Sequence, residues 1–137
     1  MIGTGIRWFF VLLLAASATG KLADIPGFYA VINSYALLPE AVIPIAGWAL
    51  AIFELVLAIW LAIGKRIDAA ALIVITVHFV YLIWLAIALA RGLDIPNCGC
   101  FGVFWARPLT WFTLLEDLIL LVLAIVMWRS ASRKPML

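Results

Sequence analysis

The chain has 137 residues, 69% of them hydrophobic and 12% charged, and nine Lys and Arg against seven Asp and Glu leave a formal net charge of +2. Its mean hydropathy is +1.26, whereas soluble domains run at roughly 45–50% apolar and 25% charged. These figures all but exclude a water-soluble enzyme, a disordered chain and a nucleic-acid binder, which needs a basic stripe, and they leave one small polytopic membrane domain.

A bilayer core needs about 20 apolar residues per helix. The first such segment, about residues 6–22, is the shortest. Arg7, an apolar run from Trp8 to Ala16, and then Ala16-Ser17-Ala18 also fit a secretory signal with an Ala-x-Ala cleavage site. Without it, three remaining spans would put the termini on opposite sides, so it is read as a helix. In the outer stretch that follows, Pro26 suits a first helical turn. Phe28, Val31, Ile32, Tyr35 and Leu38 then fall on one face before Pro39. This reads as a short interfacial helix capping the bundle, with no chemistry assigned to it.

The second span, about 41–63, is interrupted only by Glu54, and the third, about 69–90, carries only His78. The fourth, about 109–128, carries Glu116 and Asp117. Short connections make neighbouring spans antiparallel. The expected fold is all-α, an integral membrane four-helix bundle with up-down-up-down topology.

Orientation follows from the positive-inside rule. A cytoplasmic N-terminus puts Arg7, Lys65, Arg66, Arg129, Arg133 and Lys134 inside, and Lys21, Arg91 and Arg107 outside. Both termini are then cytoplasmic, in a bacterial inner membrane, with membrane lipid around the bundle. Trp8 and Trp128 lie at the inner interface, Trp105 and Trp111 at the outer one.

The one compact constellation is Asn97-Cys98-Gly99-Cys100-Phe101-Gly102, which holds both cysteines and lies in the outer loop between the third and fourth spans. In an extended strand, Cα atoms at i and i+2 are about 6.6–6.8 Å apart, at the edge of disulfide reach. Gly99 permits the tight turn that bridging needs, and Gly102 gives freedom just after. Strained, exposed disulfides are the labile or catalytic ones, so a redox pair is expected. Three other readings compete. Buried apolar cysteines do not suit a glycine-rich polar loop. A structural disulfide closing one intervening residue stabilises almost nothing. A metal site lacks further Cys or His nearby.

Ionisable residues within spans mark functional pathways by default. Glu54 and His78 lie near mid-span, Glu116 and Asp117 slightly outward, and Tyr81 shares a face with His78 at i+3. They suit either a proton path or a neutral hydrogen-bonded core. Glu54 should face the interior, with His78 or Tyr81 as partner; Lys21, at the outer end of the first segment, looks about two helical turns too far away.

Gly20-Lys21, Phe28, Tyr35-x-x-Leu38-Pro39, Glu54, Arg91, Cys98-Gly99-Cys100-Phe101-Gly102 and Asp117 occur in an order that resembles the MauE family, methylamine-utilisation membrane proteins related to the DoxX-like group. The resemblance implies a membrane protein needed to mature a disulfide-rich periplasmic subunit, working beside a thioredoxin-like MauD-type partner; DoxX-like relatives imply a link to quinone. It implies that Cys98 and Cys100 are the redox pair and that Lys21, Glu54 and Arg91 are family polar positions. The chain departs from the family pattern at Glu116, where a basic residue is expected before Asp117.

The leading reading is a membrane thiol–disulfide redox protein exchanging electrons with a periplasmic thiol partner through Cys98 and Cys100, with Arg91 or Arg107 lowering a thiol pKa. Trp105, Trp111 and Phe112 lie near enough to meet a quinone ring, or serve only as interfacial anchors. The alternative is a non-enzymatic subunit or scaffold whose Cys-x-Cys loop shapes a docking surface.

Overall fold

The computed structural model describes residues 1–133. Lys134, counted above on the inner side, lies outside the described residues. The elements are α1 (Ile2–Ala23), α2 (Ile25–Ser34), α3 (Ile43–Ile63), α4 (Ile67–Ala90) and α5 (Trp111–Ser132), with no strand among the described residues. All but α2 are long and apolar enough to cross a membrane. The protein is an all-α, multi-pass membrane bundle.

Helix α1 is four residues longer at its start than hydropathy indicates. Gly3, Thr4 and Gly5 are small or weakly polar, yet their backbone continues the helix and 22 residues give about 33 Å of length. Asp24 ends it and caps α2, its Oδ1 accepting from Gly27 N at 3.0 Å, and Pro26 occupies the first turn. Between α3 and α4 the chain reverses through two left-handed residues, Gly64 (φ 80°) and Arg66 (φ 51°).

Helix α1 lies antiparallel to α3, with Arg7 against Gly64 and Ser17 against Glu54. It is also antiparallel to α5, where Gly3 meets Ser130. Helix α4 packs on α5, while α3 and α4, despite the shortest connection, touch least of the four adjacent pairs of spans. The half nearer the termini is an apolar core of Phe10, Leu14, Leu57, Leu61, Val74 and Met127, with Ala58, Ala70, Ala71 and Ala124 letting backbones approach closely. The half nearer the cysteine loop holds the buried polar residues.

Helix α2 is more than a surface cap. Its buried Phe28 and Ile32 pack with Ile43 of α3, and the Tyr29 ring closes on Gly47. Phe28 also joins Val31 in walling the cysteine loop at Gly99.

Candidate functional site

The segment from Gly92 to Thr110 folds back over the end of the bundle opposite the termini. Two backbone bonds zip its limbs together: Cys98 N to Arg107 O at 2.8 Å and Leu109 N to Ile95 O at 2.9 Å. At the tip, Gly102 N donates to Gly99 O at 3.2 Å, and both glycines take positive φ, 84° at Gly99 and 68° at Gly102. Asn97 holds this turn from the side, its Oδ1 accepting from Gly99 N and its Nδ2 donating to Gly102 O. Gly20 of α1 touches the backbone at Phe101 and Gly102, so neither Gly20 nor Gly102 has room for a Cβ.

This turn brings the two free thiols together, with Cys98 Sγ and Cys100 Sγ 3.3 Å apart. They differ in setting: Cys98 is 8% exposed, and Cys100 is exposed at the surface. The hydrogen bond shared with Cys100 and the Arg107 guanidinium hold Cys98 down to about 6, while the same shared proton, then burial of the sulfur and the charge on Cys98, push Cys100 up. The pair therefore divides into a buried thiolate and an accessible protonated thiol. The Cys98 carbonyl accepts from the buried Tyr35 hydroxyl at 2.6 Å. Burial, followed by the nearby thiols, keeps that hydroxyl protonated.

Beneath the loop lies a cluster of buried charge. Lys21 Nζ donates to Glu54 Oε1 at 2.8 Å, to Glu54 Oε2 at 2.7 Å and to Ser17 Oγ at 2.8 Å. Lys21 is 2% exposed and Glu54 1%. Tyr81 donates to Glu54 Oε1 at 2.5 Å, closing the thin α3–α4 seam. Ser17 Oγ lies 2.7 Å from Glu54 Oε2 and 2.5 Å from the carbonyl oxygen of Cys100. The expectation that Lys21 lies too far from Glu54 is wrong. Measured from the Arg7–Gly64 contact, Ser17 and Glu54 are each ten residues outward, about 15 Å, and Lys21 is one turn, about 6 Å, beyond. A helical side chain leans toward its N-terminus, so the lysine stem covers that turn. The error came from aligning outer ends, because α3 rises beyond α1 to meet α2.

His78 does not bond Glu54. Its Nδ1 lies 3.0 Å from Asp117 Oδ1, joining α4 to α5, with both side chains buried. Glu116 stands apart from this interior. Adjacent helical residues point about 100° apart, and Glu116 turns to Arg107 at 2.6 Å, both half-buried. Arg91 does not approach a thiol; it donates to the Tyr35 carbonyl at 3.0 Å and ties the end of α2 to α4. Phe101 is stacked on Trp105, ring centres 5.2 Å apart, while Trp111 and Phe112 are exposed.

Sequence reading missed Ser17, because its hydroxyl sits in an Ala-Ser-Ala run where small residues mimic a cleavage site. It also missed the role of Tyr35 as a loop anchor. Helical spacing held one usable sign, since Ser17 and Lys21 stand at i and i+4 on the face that bears Leu14. Two clefts lie elsewhere. One of about 560 Å³ opens at the termini end beside Arg7, Gly64 and Asp68, and a smaller one adjoins Tyr29 and Glu40. No group of three or more His, Cys, Asp or Glu among the described residues suits a metal.

The family model described as methylamine utilisation protein MauE matches residues 1–130. Curated proteins named methylamine utilization protein MauE are similar: that of Paracoccus denitrificans is 30% identical across 91% of this chain and 67% of its own length. That of Methylorubrum extorquens is 31% identical across 81% of this chain and 60% of its own length. The chain thus spans about two thirds or less of these relatives. No solved structure matches.

Proposed function

The chain belongs to the MauE family, and from that premise we propose that it passes a disulfide from Cys98–Cys100 to the thiols of a partner on the outer face of the bacterial inner membrane. The observation that carries this is the asymmetry of two sulfurs 3.3 Å apart: Cys100 is exposed, and Cys98 is buried with its pKa lowered by the hydrogen bond shared with Cys100 and by Arg107.

In the oxidised pair, a partner thiolate attacks the exposed Cys100 sulfur. The Cys98–Cys100 bond breaks and Cys98 leaves with the electron pair, and a low pKa makes it a good leaving group. A mixed disulfide now joins Cys100 to the partner. The partner's second thiolate attacks its own sulfur in that bridge and forms the partner's disulfide, and Cys100 departs and takes up a proton. The partner loses two electrons and the pair gains them. Stabilising the reduced form makes a disulfide more oxidising, so the arrangement suits donation of a disulfide. The cycle closes through an oxidant of one of two classes, the disulfide of a thioredoxin-like MauD-type protein or a quinone. The aromatic face of half-buried Phe101 and exposed Trp105 is what a ring would meet, and the exposed Cys100 thiol is what a protein partner would meet, so protein disulfide is the preferred oxidant. The relatives are named for methylamine utilisation, and we assign this chain to the same process, in maturing a disulfide-containing protein.

Equilibration in glutathione buffers, with alkylation and mass spectrometry, tests the proposal. A reversible Cys98–Cys100 disulfide with a potential above about −300 mV, the upper bound for inert structural bridges, is expected. Cys98→Ser should trap a partner on Cys100, whereas Cys100→Ser should trap none. Full function in both variants would favour a scaffold. A membrane-impermeant maleimide should label Cys100 in intact, reduced cells, and labelling only after lysis would overturn the orientation.

A further inference from the structure

At the end of the bundle that carries the termini, the starts of α1 and α4 and the last turn of α5 enclose the cleft of about 560 Å³, a size within the roughly 300–1,000 Å³ of small-molecule sites. Its side chains include one cation, Arg7, and one carboxylate, Asp68. Among the described residues the ion pairs are Lys21–Glu54, His78–Asp117 and Arg107–Glu116, so these two charges face one cleft without pairing with each other. The guanidinium lies over Gly64, where a Cβ would stand 3.3 Å from Nη1; the left-handed glycine that reverses the chain (φ 80°) makes the room for it. Arg7 Nε is buried with no acceptor among the described residues, and its guanidinium carbon sits 5.0 Å from the centre of the Trp8 ring. Asp68 stands in the first turn of α4, where the helix dipole favours a carboxylate. The hydroxyl residues Thr4 and Ser130 line the same cleft, whereas the exposed Lys65 and Arg66 do not. A site for a simple anion gains nothing from Asp68; a ligand carrying both signs uses both side chains.

We propose that this cleft binds the headgroup of an aminophospholipid, phosphatidylethanolamine, with its phosphate on Arg7 and its primary ammonium on Asp68. A guanidinium matches phosphate oxygens bidentately, and the hydroxyls of Thr4 and Ser130 are further donors. The ammonium of ethanolamine brings N–H donors to the carboxylate, a charge-assisted hydrogen bond. Phosphatidylcholine carries a cation without an N–H, and phosphatidylglycerol carries no cation, so each leaves Asp68 without a donor. The lipid is favoured over a free phosphoester by position: the cleft opens at the end of four helices long and apolar enough to span a bilayer, Ile2 and Ile67 give it apolar surface, and the exposed Trp8 beside Arg7 suits the headgroup level. The site lies at the opposite end of the bundle from Cys98 and Cys100 and is independent of thiol exchange.

The test is native mass spectrometry of the full chain released from nanodiscs made of equal parts phosphatidylethanolamine, phosphatidylcholine and phosphatidylglycerol. One phosphatidylethanolamine should be retained about tenfold in preference to phosphatidylcholine, the worth of one hydrogen bond to a charged group. Asp68→Asn should bring that ratio near one and raise retention of phosphatidylglycerol. Arg7→Gln should lower retention of all three lipids, and Arg7→Lys, which keeps the charge, should restore part of it. Lys65→Gln, which removes a charge outside the cleft, should change none of the ratios. Soluble glycerophosphoethanolamine in excess should not displace the lipid. Equal retention of the ethanolamine and choline lipids by the wild type, or a preference that survives in Asp68→Asn, would overturn the proposal. Equal losses in Arg7→Gln and Lys65→Gln would overturn it too, marking a diffuse basic surface, and displacement by the soluble headgroup would overturn the assignment to a lipid.

Discussion

Replacing Lys21 by Met should be among the most damaging single substitutions in the chain. The ammonium makes three hydrogen bonds, two to Glu54 and one to Ser17, and lies 5.5 Å from the Phe28 ring centre. Methionine fills most of the stem volume, so packing changes little and the loss is electrical. Glu54, 1% exposed, keeps Tyr81 and Ser17 as donors but loses the Lys21 cation. Removing one partner of a buried pair costs about 3–5 kcal/mol, because the other charge stays desolvated. Replacing both, as Lys21→Met with Glu54→Leu, should recover most of that cost, since a well-packed apolar pair is often neutral or better. SDS-driven unfolding in mixed micelles of the wild type, both single variants and the double variant gives the coupling energy directly. The reasoning fails if Lys21→Met costs under about 1 kcal/mol, the range of exposed pairs, or if the two single costs simply add.

The other predictions concern the loop. Gly102→Ala should cost about 2 kcal/mol or more, combining a left-handed φ with collision against Gly20. Gly92→Ala, also at positive φ but in open space, should cost about 1 kcal/mol; equal costs in the same unfolding assay would refute the close approach. Cys100→Ala removes the hydrogen bond that holds Cys98 at about 6, so alkylation of Cys98 at pH 6.5 should slow about tenfold or more as its thiolate fraction falls. Because Cys98 is depressed from an ordinary value of 9.0, its contribution to stability is complete above that value and is lost as pH falls through about 6. Thermal unfolding of wild type against Cys98→Ala across pH 5–9 reads this, and a difference constant with pH would contradict it. Tyr35→Phe strands the Cys98 carbonyl, should cost about 1–3 kcal/mol, and should raise amide exchange at Cys98 and Gly99; unchanged exchange would mean the loop is held without it.

What the sequence disclosed follows from which constraints are local. A bilayer imposes a minimum apolar length, so the three later spans appear within about four residues of their observed ends. Helix α1 looked short because Gly3, Thr4 and Gly5 dilute hydropathy without breaking the helix. The spacing of Cys98, Gly99 and Cys100 marked a turn, because only a glycine-permitted reversal brings the sulfurs together. The floor of the site was hidden, since which side chains meet depends on the axial offset between α1 and α3. That offset is set by contacts at the far ends, Arg7 with Gly64 and Tyr29 with Gly47. Glu116 and Asp117 are neighbours in sequence, and only the phase of α5 decides that one meets His78 and the other Arg107. The two limbs of the loop pair through residues nine and fourteen positions apart, Cys98 with Arg107 and Ile95 with Leu109, and no local pattern announces that register.

The Lys21–Glu54 pair also constrains how the chain is made. A charged residue within a span raises the free energy of insertion by roughly 2.5–3.5 kcal/mol at mid-helix; α3 carries Glu54, and α1 carries Lys21 in addition to Arg7 near its start. The cation leaves the ribosome first, followed by about thirty residues that include α2, and its counter-charge arrives only with α3. Until then α1 has an unpaired ammonium near one end of the span, where a long stem snorkels to the headgroups at small cost. The pair, and with it the floor of the thiol loop, is complete only once α1 and α3 are together.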